Sequence, residues 1–186
     1  MVVYKPMKFG IISDTHDNLA NINIALDYFN KEKIDVIIHA GDLCFVDSVK
    51  HILKKFSGQL FLVEGNGDDE TEKFLKIEKQ FPNFKYSTNF GELQLEDCHV
   101  AFVHKPDQLN ELAETEKYDL IIYGHTHQPW EKYINTQAHN KKVHLLNPGT
   151  LAGLFAKATF AVYDTNTKQA QLIILELLAS QYAHKN

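Results

Sequence analysis

Residues 9–16, Phe-Gly-Ile-Ile-Ser-Asp-Thr-His, decide how this chain is read. A short apolar run without polar alternation stops on Asp14-Thr15-His16, side chains that bind hard or borderline metal ions. Four further runs end the same way: Val36 to Ala40 on Gly41-Asp42, Leu60 to Val63 on Glu64-Gly65-Asn66, Val100 to Val103 on His104, and Leu120 to Tyr123 on Gly124-His125-Thr126-His127. Runs of this length, rich in β-branched residues, read as buried parallel strands. Ligands in open α/β sheets bind outside the carboxyl ends of the strands. Seven oxygen and imidazole groups, on Asp14, His16, Asp42, Asn66, His104, His125 and His127, are therefore expected at one rim.

Between the runs the period changes to helical. Leu19, Ile22, Ala25, Leu26 and Phe29 share a face, with Asn18 as cap and an end near Lys33. Helices are also expected over Asp47 to Phe56, over Glu70 to Gln80 with Phe74, Leu75 and Ile77 inward, and over Asp107 to Lys117. From Glu92 onward the character turns largely to strand: Leu93 to Leu95, Val100 to Val103, Glu131 to Thr136, Val143 to Leu146, Thr159 to Tyr163 and Gln171 to Leu177. Asn147-Pro148-Gly149 and Asp164-Thr165-Asn166-Thr167 are turn chemistry. The expected fold class is α/β, with two layers of sheet covered by helices outside, and residues 1–186 form one domain.

Composition excludes several function classes. A chain of 186 residues, 44% apolar and 23% charged, reads as an ordinary globular protein. Its net charge of −5 supplies no basic field for an extended nucleic-acid surface. Cys44 and Cys98 are its two cysteines, too few for a disulfide framework, and a reducing cytoplasm fits. Residues 1–9 carry Lys5 and Lys8 without an apolar leader core, and no stretch approaches the roughly 20 apolar residues of a membrane span.

The ligand set has a chemistry of its own. Asp14 and His16 stand two apart at a strand end, where alternation points i and i+2 the same way, and His125 and His127 repeat the spacing. Asp42 has two oxygens with which to bridge two cations, and Gly41 lets backbone approach. Carboxylate, amide and imidazole donors without thiolate favour Mn²⁺, Fe, Ni²⁺ or Zn²⁺, with Mn²⁺ placed first, and two ions are needed to use all the groups. Such pairs clamp the attacking and leaving oxygens of a phosphoryl displacement.

The ordered series Asp14-x-His16, Gly41-Asp42, Gly65-Asn66, His104 and Gly124-His125-x-His127 resembles the motif set of the calcineurin-like metallophosphoesterases. The length, and Asn147-Pro148-Gly149-Thr150, resemble the small single-domain phosphodiesterase branch, over roughly residues 8–165. The resemblance implies a two-sheet mixed β-sandwich flanked by helices. It also implies one ion on Asp14, His16 and His127, a second on Asn66, His104 and His125, and Asp42 bridging them. Hydrolysis of a small or nucleotide-like phosphoester by a metal-activated hydroxide would follow, with Asn66 and His104 as catalytic groups and Asn66 and Gly67 meeting substrate.

Two departures stand out. Many relatives place histidine, and some small ones cysteine, where this chain has Gly67, and many have glycine where it has Lys105. Asp68 is read as an ionised residue of a solvated loop, and Lys105 as extending into water rather than reaching a phosphate. His39 is read as structural or as bracing a neighbouring ligand rather than as a ligand itself, and Cys44 as a packed thiol. His51, His99, His139, His144 and His184 fit no ligand spacing. Specificity is assigned to loops at residues 45–49, 68–71 and 129–142. Leu172 to Leu178 is read as a core or edge strand that, with Tyr182, buries a dimer contact if the chain self-associates. The alternatives are a non-catalytic protein-binding scaffold, because a retromer coat subunit shares the fold, and a phosphomonoesterase, against which the absent general acid argues.

Overall fold

The computed structural model describes residues 7–178, so Lys5, Tyr182 and His184 lie outside the described residues. One sheet has six strands in the order β11-β10-β1-β2-β3-β4. Within it β1 (Lys8–Ile12), β2 (Val36–His39), β3 (Gln59–Val63) and β4 (Phe84–Ser87) run parallel. The antiparallel pair β10 (Thr159–Asp164) and β11 (Gln169–Ile174) adds beside β1. The second sheet has five strands, with β7 (Leu120–Ile122) between β6 (Cys98–Val103) and β9 (Lys142–Asn147) in parallel. Its edges, β5 (Phe90–Leu95) and β8 (Trp130–Asn135), are antiparallel to their neighbours.

Each central strand is apolar throughout because both of its faces are covered. On β1, Phe9 and Ile11 point between the sheets to meet Val100, Phe102, Leu120 and Ile122. Ile12 points outward to helices α1 (Leu19–Lys31), α2 (Val46–Lys55) and α3 (Thr71–Gln80), where Ile22, Leu26, Phe29, Val49, Ile52 and Phe74 are buried. The second sheet turns Ala101, Val103, Ile121 and Val143 to α4 (Leu109–Glu114). The result is two mixed sheets flanked by helices, as expected. Among the described residues no helix is long and apolar enough to cross a membrane.

Several local expectations need correction. Strand β4 was not foreseen: it is a four-residue edge strand in which Phe84 and Tyr86 are buried and Lys85 is exposed, too short to register as a pattern. Leu75, expected inward, is 38% exposed, because only Phe74 and Ile77 reach the core from α3. The fourth helix does not run from Asp107 to Lys117. Pro106 to Gln108 make a 3₁₀ turn first, and Glu116, at φ 57°, lies beyond the end of α4. Strand β11 is an edge strand that stops at Ile174, and residues 175–178 are helical rather than extended. Of the three stretches read as loops, 45–49 holds the first turn of α2 and 129–142 contains β8.

Asn18 does cap α1, its Oδ1 accepting from the Asn21 N–H at 3.2 Å. It also ties the helix to the far end of the chain by donating from Nδ2 to the Ala152 carbonyl at 2.9 Å. Asn18→Ala is expected to cost about 1–2 kcal/mol in urea denaturation, more than a capping loss on a surface helix, because the second bond goes with the first.

Candidate metal centre

The strand ends of both sheets meet at one rim, and the loops that leave them carry the candidate ligands. His104 Nδ1 donates to the Ala40 carbonyl at 2.8 Å, and the His125 N–H donates to the Asp14 carboxylate at 3.1 Å, so each contact crosses from one sheet to the other. The segment after β9 fastens the same seam. Asn147 Nδ2 donates to the Gly124 carbonyl at 2.8 Å, and Thr150 Oγ1 donates to the Asp14 carbonyl at 2.8 Å. Asn147 to Thr150 therefore hold the first and last ligand loops together.

Strand alternation is not what aims the side chains. Asp14, His16, Asp42, His125 and His127 all lie beyond their strands at positive φ, between 39° and 68°. Non-glycine residues in this region cost of order 1–3 kcal/mol each and persist only where their surroundings hold them. The spacing Asp14-x-His16 places both groups in one cluster, but through a left-handed loop. His125 and His127 do not share a target: His127 approaches Asp14, whereas the His125 ring sits edge-on to His104 with centroids 5.1 Å apart.

Donor atoms of Asp14, His16, Asp42 and His127 all lie within 4.8 Å of one another, a grouping that could hold a metal ion. His127 Nε2 is 3.2 Å from Asp14 Oδ1, and the Nε2 atoms of His16 and His127 face each other at 3.4 Å. Asp42 looks two ways. Its Oδ2 is 3.8 Å from His16 Nε2, and its Oδ1 is 3.3 Å from His104 Nε2. His104 Nε2 is also 3.1 Å from Asn66 Oδ1. With its Nδ1–H committed to Ala40, neutral His104 turns a lone pair toward two further lone-pair atoms, and such a set is satisfied by a proton or a cation. Lone pairs of carboxylate, amide and imidazole, partly buried and without thiolate, suit a borderline divalent ion. His125 is exposed; its N–H reaches Asp14, and its side chain meets this set through the ring contact with His104.

The electrostatics agree with a site built for positive charge. Burial raises the Asp14 carboxyl, and the Ser13 hydroxyl at 2.6 Å works against it. Burial also works to raise Asp42, but the His104 imidazole and the Gly67 N–H, the latter at 2.6 Å, outweigh it and hold the carboxyl at about 2. Burial opposes charge on His104, yet Asp42 and the Ala40 carbonyl leave its pKa raised.

Two glycines are fixed by this crowding. A Cβ on Gly65 would stand 2.2 Å from both the amide nitrogen and Oδ1 of Asp42. Gly41 adopts φ 93°, and a Cβ there would fall 2.5 Å from His104 Nδ1. At Gly67 a Cβ would be 3.2 Å from Asp42 Oδ1 and 3.4 Å from the Cys44 sulfur, so the place of a side chain at this position is already half taken. The half-buried Cys44 thiol is pushed up to about 12 by burial first, then by Asp17 and Asp68, and its sulfur lies 3.5 Å from His16 Nδ1. Lys105 is exposed and lines a cleft of about 240 Å³ beside Asn66 and His104.

Asp68 corrects the sequence reading most sharply. It is 5% exposed, not solvated, and its carboxylate accepts from the N–H groups of Asp42, Cys44 and Gly65 at 3.2, 2.6 and 2.7 Å. One side chain thus pins the β2 and β3 ligand loops together. The only signal in sequence was an acidic residue closing a Gly-Asn-Gly turn, which is common chemistry. His39 is structural, as read: its Nδ1 accepts from the Gly41 N–H at 3.2 Å and its Nε2 is 3.0 Å from Thr15 Oγ1.

Two outcomes follow. Asp68→Ala leaves three N–H groups without their acceptor and should cost roughly 3 kcal/mol, with metal affinity falling about 10–100-fold in calorimetric titration. Burial holds His39 down at about 3, so between that value and about 6.5 the unfolded chain binds a proton that the folded chain does not. Stability of the chelator-treated protein should therefore fall as pH drops through this window, by up to about 1.4 kcal/mol per unit from His39. Urea denaturation of His39→Gln should show a shallower fall over the same range.

Residues 7–168 match the calcineurin-like phosphoesterase superfamily domain. A phosphodiesterase of Methanocaldococcus jannaschii is 31% identical over 173 residues, which span 91% of this chain and 100% of the relative. A solved archaeal phosphodiesterase shares the fold at a TM-score of 0.79 and 29% identity, covering 90% of this chain and 99% of that one. Vps29 from Entamoeba histolytica, solved in complex with Zn²⁺, matches at a TM-score of 0.60 and 16% identity, with 91% of this chain and 99% of that chain covered, a likeness of fold alone. A family match over residues 7–168, joined to a relative matched along its whole length, shows that this chain belongs to the calcineurin-like phosphoesterase superfamily.

Proposed function

We propose that this chain is a metal-dependent phosphodiesterase whose centre takes two divalent ions, with Mn²⁺ the first candidate and Ni²⁺, Fe or Zn²⁺ the others. Asp14, His16 and His127 would hold one, Asn66, His104 and His125 the other, and Asp42 would serve both. The observation that carries this reading is the division of Asp42, whose Oδ2 faces His16 and whose Oδ1 faces His104. When bound, the ions would supply Lewis acidity toward the phosphoryl oxygens and a means of deprotonating water near neutral pH.

The chain's own residues supply the rest. Ala40 fixes the ring of His104 and so keeps Nε2 aimed inward. The Gly67 N–H holds Asp42 Oδ1 in place, and this backbone donor, rather than a side chain, is what residue 67 gives to the site. Asn66 is exposed at the rim, where its carboxamide N–H groups can meet an equatorial phosphoryl oxygen as charge builds there. The cleft beside it offers Lys105, Asn89 and Gln108 to the ester's substituent. The substrate class is a small phosphoester, nucleotide-like diesters included. A general acid is not supplied by residue 67, so diesters with good leaving groups are favoured over alkyl monoesters.

The test is hydrolysis of bis-p-nitrophenyl phosphate and p-nitrophenyl phosphate by metal-stripped protein, restored separately with Mn²⁺, Ni²⁺, Zn²⁺ and Mg²⁺. Diester cleavage should return with at least one ion, exceed monoester cleavage, and fall by about 100-fold or more in Asp42→Ala. No activity with any ion, in protein that binds metal stoichiometrically, would sink the catalytic reading in favour of the scaffold.

A further inference from the structure

The loop after β2 carries a side chain where its backbone favours none. Cys44 adopts φ 85°, in the left-handed region that glycine enters freely and any other residue enters at a cost. The loop does not need the thiol to hold this shape. The Cys44 N–H donates to Asp68 Oδ1 at 2.6 Å, and the Phe45 N–H donates to Asp17 Oδ1 at 3.3 Å. On either side, the His16 N–H donates to the Asp42 carbonyl at 3.0 Å and the Asp17 N–H to the Leu43 carbonyl at 3.2 Å, so the loops after β1 and β2 are zipped together by backbone. A glycine at position 44 would keep every one of these bonds. The strained residue is therefore explained by what its side chain touches.

The hydrogen-bonding neighbour of its sulfur among the described residues is His16 Nδ1, at 3.5 Å. Gly67 leaves the thiol room, since a Cβ there would already come within 3.4 Å of it. The other nitrogen of the same ring, Nε2, faces the candidate ligands, 3.4 Å from His127 Nε2 and 3.8 Å from Asp42 Oδ2. For Nε2 to give a lone pair to a cation, the neutral imidazole must carry its hydrogen on Nδ1, and the partner of one ring nitrogen sets the state of the other.

The position of the sulfur separates two roles. Cys44 is not in the group of donors that lie within 4.8 Å of one another, so it stands behind a ligand rather than among the ligands. His104 meets the same requirement by donating from Nδ1 to the Ala40 carbonyl at 2.8 Å. On His16 the acceptor is a thiol, which is weaker than a carbonyl but still directional.

We infer that Cys44 is a positioning residue of the proposed metal centre: its sulfur accepts the His16 Nδ1 hydrogen and so fixes the tautomer and the ring that turn Nε2 toward the cation shared with Asp14, Asp42 and His127. This role rests on the metal-centre reading above, and it concerns how His16 is held rather than which ions bind.

The experiment is calorimetric titration of metal-stripped protein with Mn²⁺ and, separately, Zn²⁺, comparing wild type, Cys44→Gly and Cys44→Ser, beside urea denaturation of each. Cys44→Gly relieves the backbone and keeps the loop's bonds, so its stability to urea should equal or exceed that of the wild type while the affinity for one ion falls about 10-fold. Cys44→Ser restores an acceptor and should recover most of that affinity. Binding by Cys44→Gly equal to the wild type, a loss that Cys44→Ser does not recover, or an affinity that falls only in step with urea stability would overturn the role. A wild type that binds neither ion would remove the metal centre and this role with it, whereas equal binding by wild type and Cys44→Gly removes the role alone.

Discussion

A buried carboxylate at the seam of two sheets governs this structure. Asp42 is 3% exposed, and an ionised group there is costly unless it is paired and hydrogen-bonded. Its neighbours meet that requirement from three directions: the Gly67 N–H from the β3 loop, His104 from the end of β6, and His16 from the loop after β1. Gly67 and His104 approach within hydrogen-bonding reach and His16 to 3.8 Å, a crowding that dictates the glycines at 41 and 65 and the left-handed turns that leave the strands. Asp68 then secures the backbone around Asp42, so that one acidic side chain positions another.

The same constraint explains why the fold needs two sheets. The parallel strands β1, β2 and β3 bring Asp14, Asp42 and Asn66 to one edge of the first sheet, and β6 and β7 bring His104, His125 and His127 to the facing edge of the second. Packing of Phe9 and Ile11 against Val100, Phe102, Leu120 and Ile122 sets the distance between these edges. The core between the sheets is thus also the spacer of the site, and a change of core volume there would be felt at the ligands before it was felt in the helices.

Much of this was legible in the sequence, for physical reasons. Strands covered on both faces are apolar throughout, so Phe9 to Ser13 and Leu120 to Tyr123 announced themselves, and the helical period of Leu19 to Phe29 marked the crossover from β1 to β2. The candidate ligand positions stood out because each lay just beyond such a run. The loop conformation was not: alternation along a strand was expected to aim Asp14 with His16 and His125 with His127, whereas left-handed loops bring Asp14 and His16 into one cluster and send His125 and His127 to different neighbours. Strand β4 and the inward role of Asp68 were hidden because a four-residue edge strand and an acidic turn residue leave no periodic trace.

The proposed place of Asp42 between two cation sites can be tested by anomalous diffraction from crystals grown with Mn²⁺. Two peaks roughly 3.5–4 Å apart are expected, one against each oxygen of Asp42, the first beside Asp14, His16 and His127 and the second beside Asn66, His104 and His125. A single peak, or two peaks neither of which touches Asp42, would contradict it.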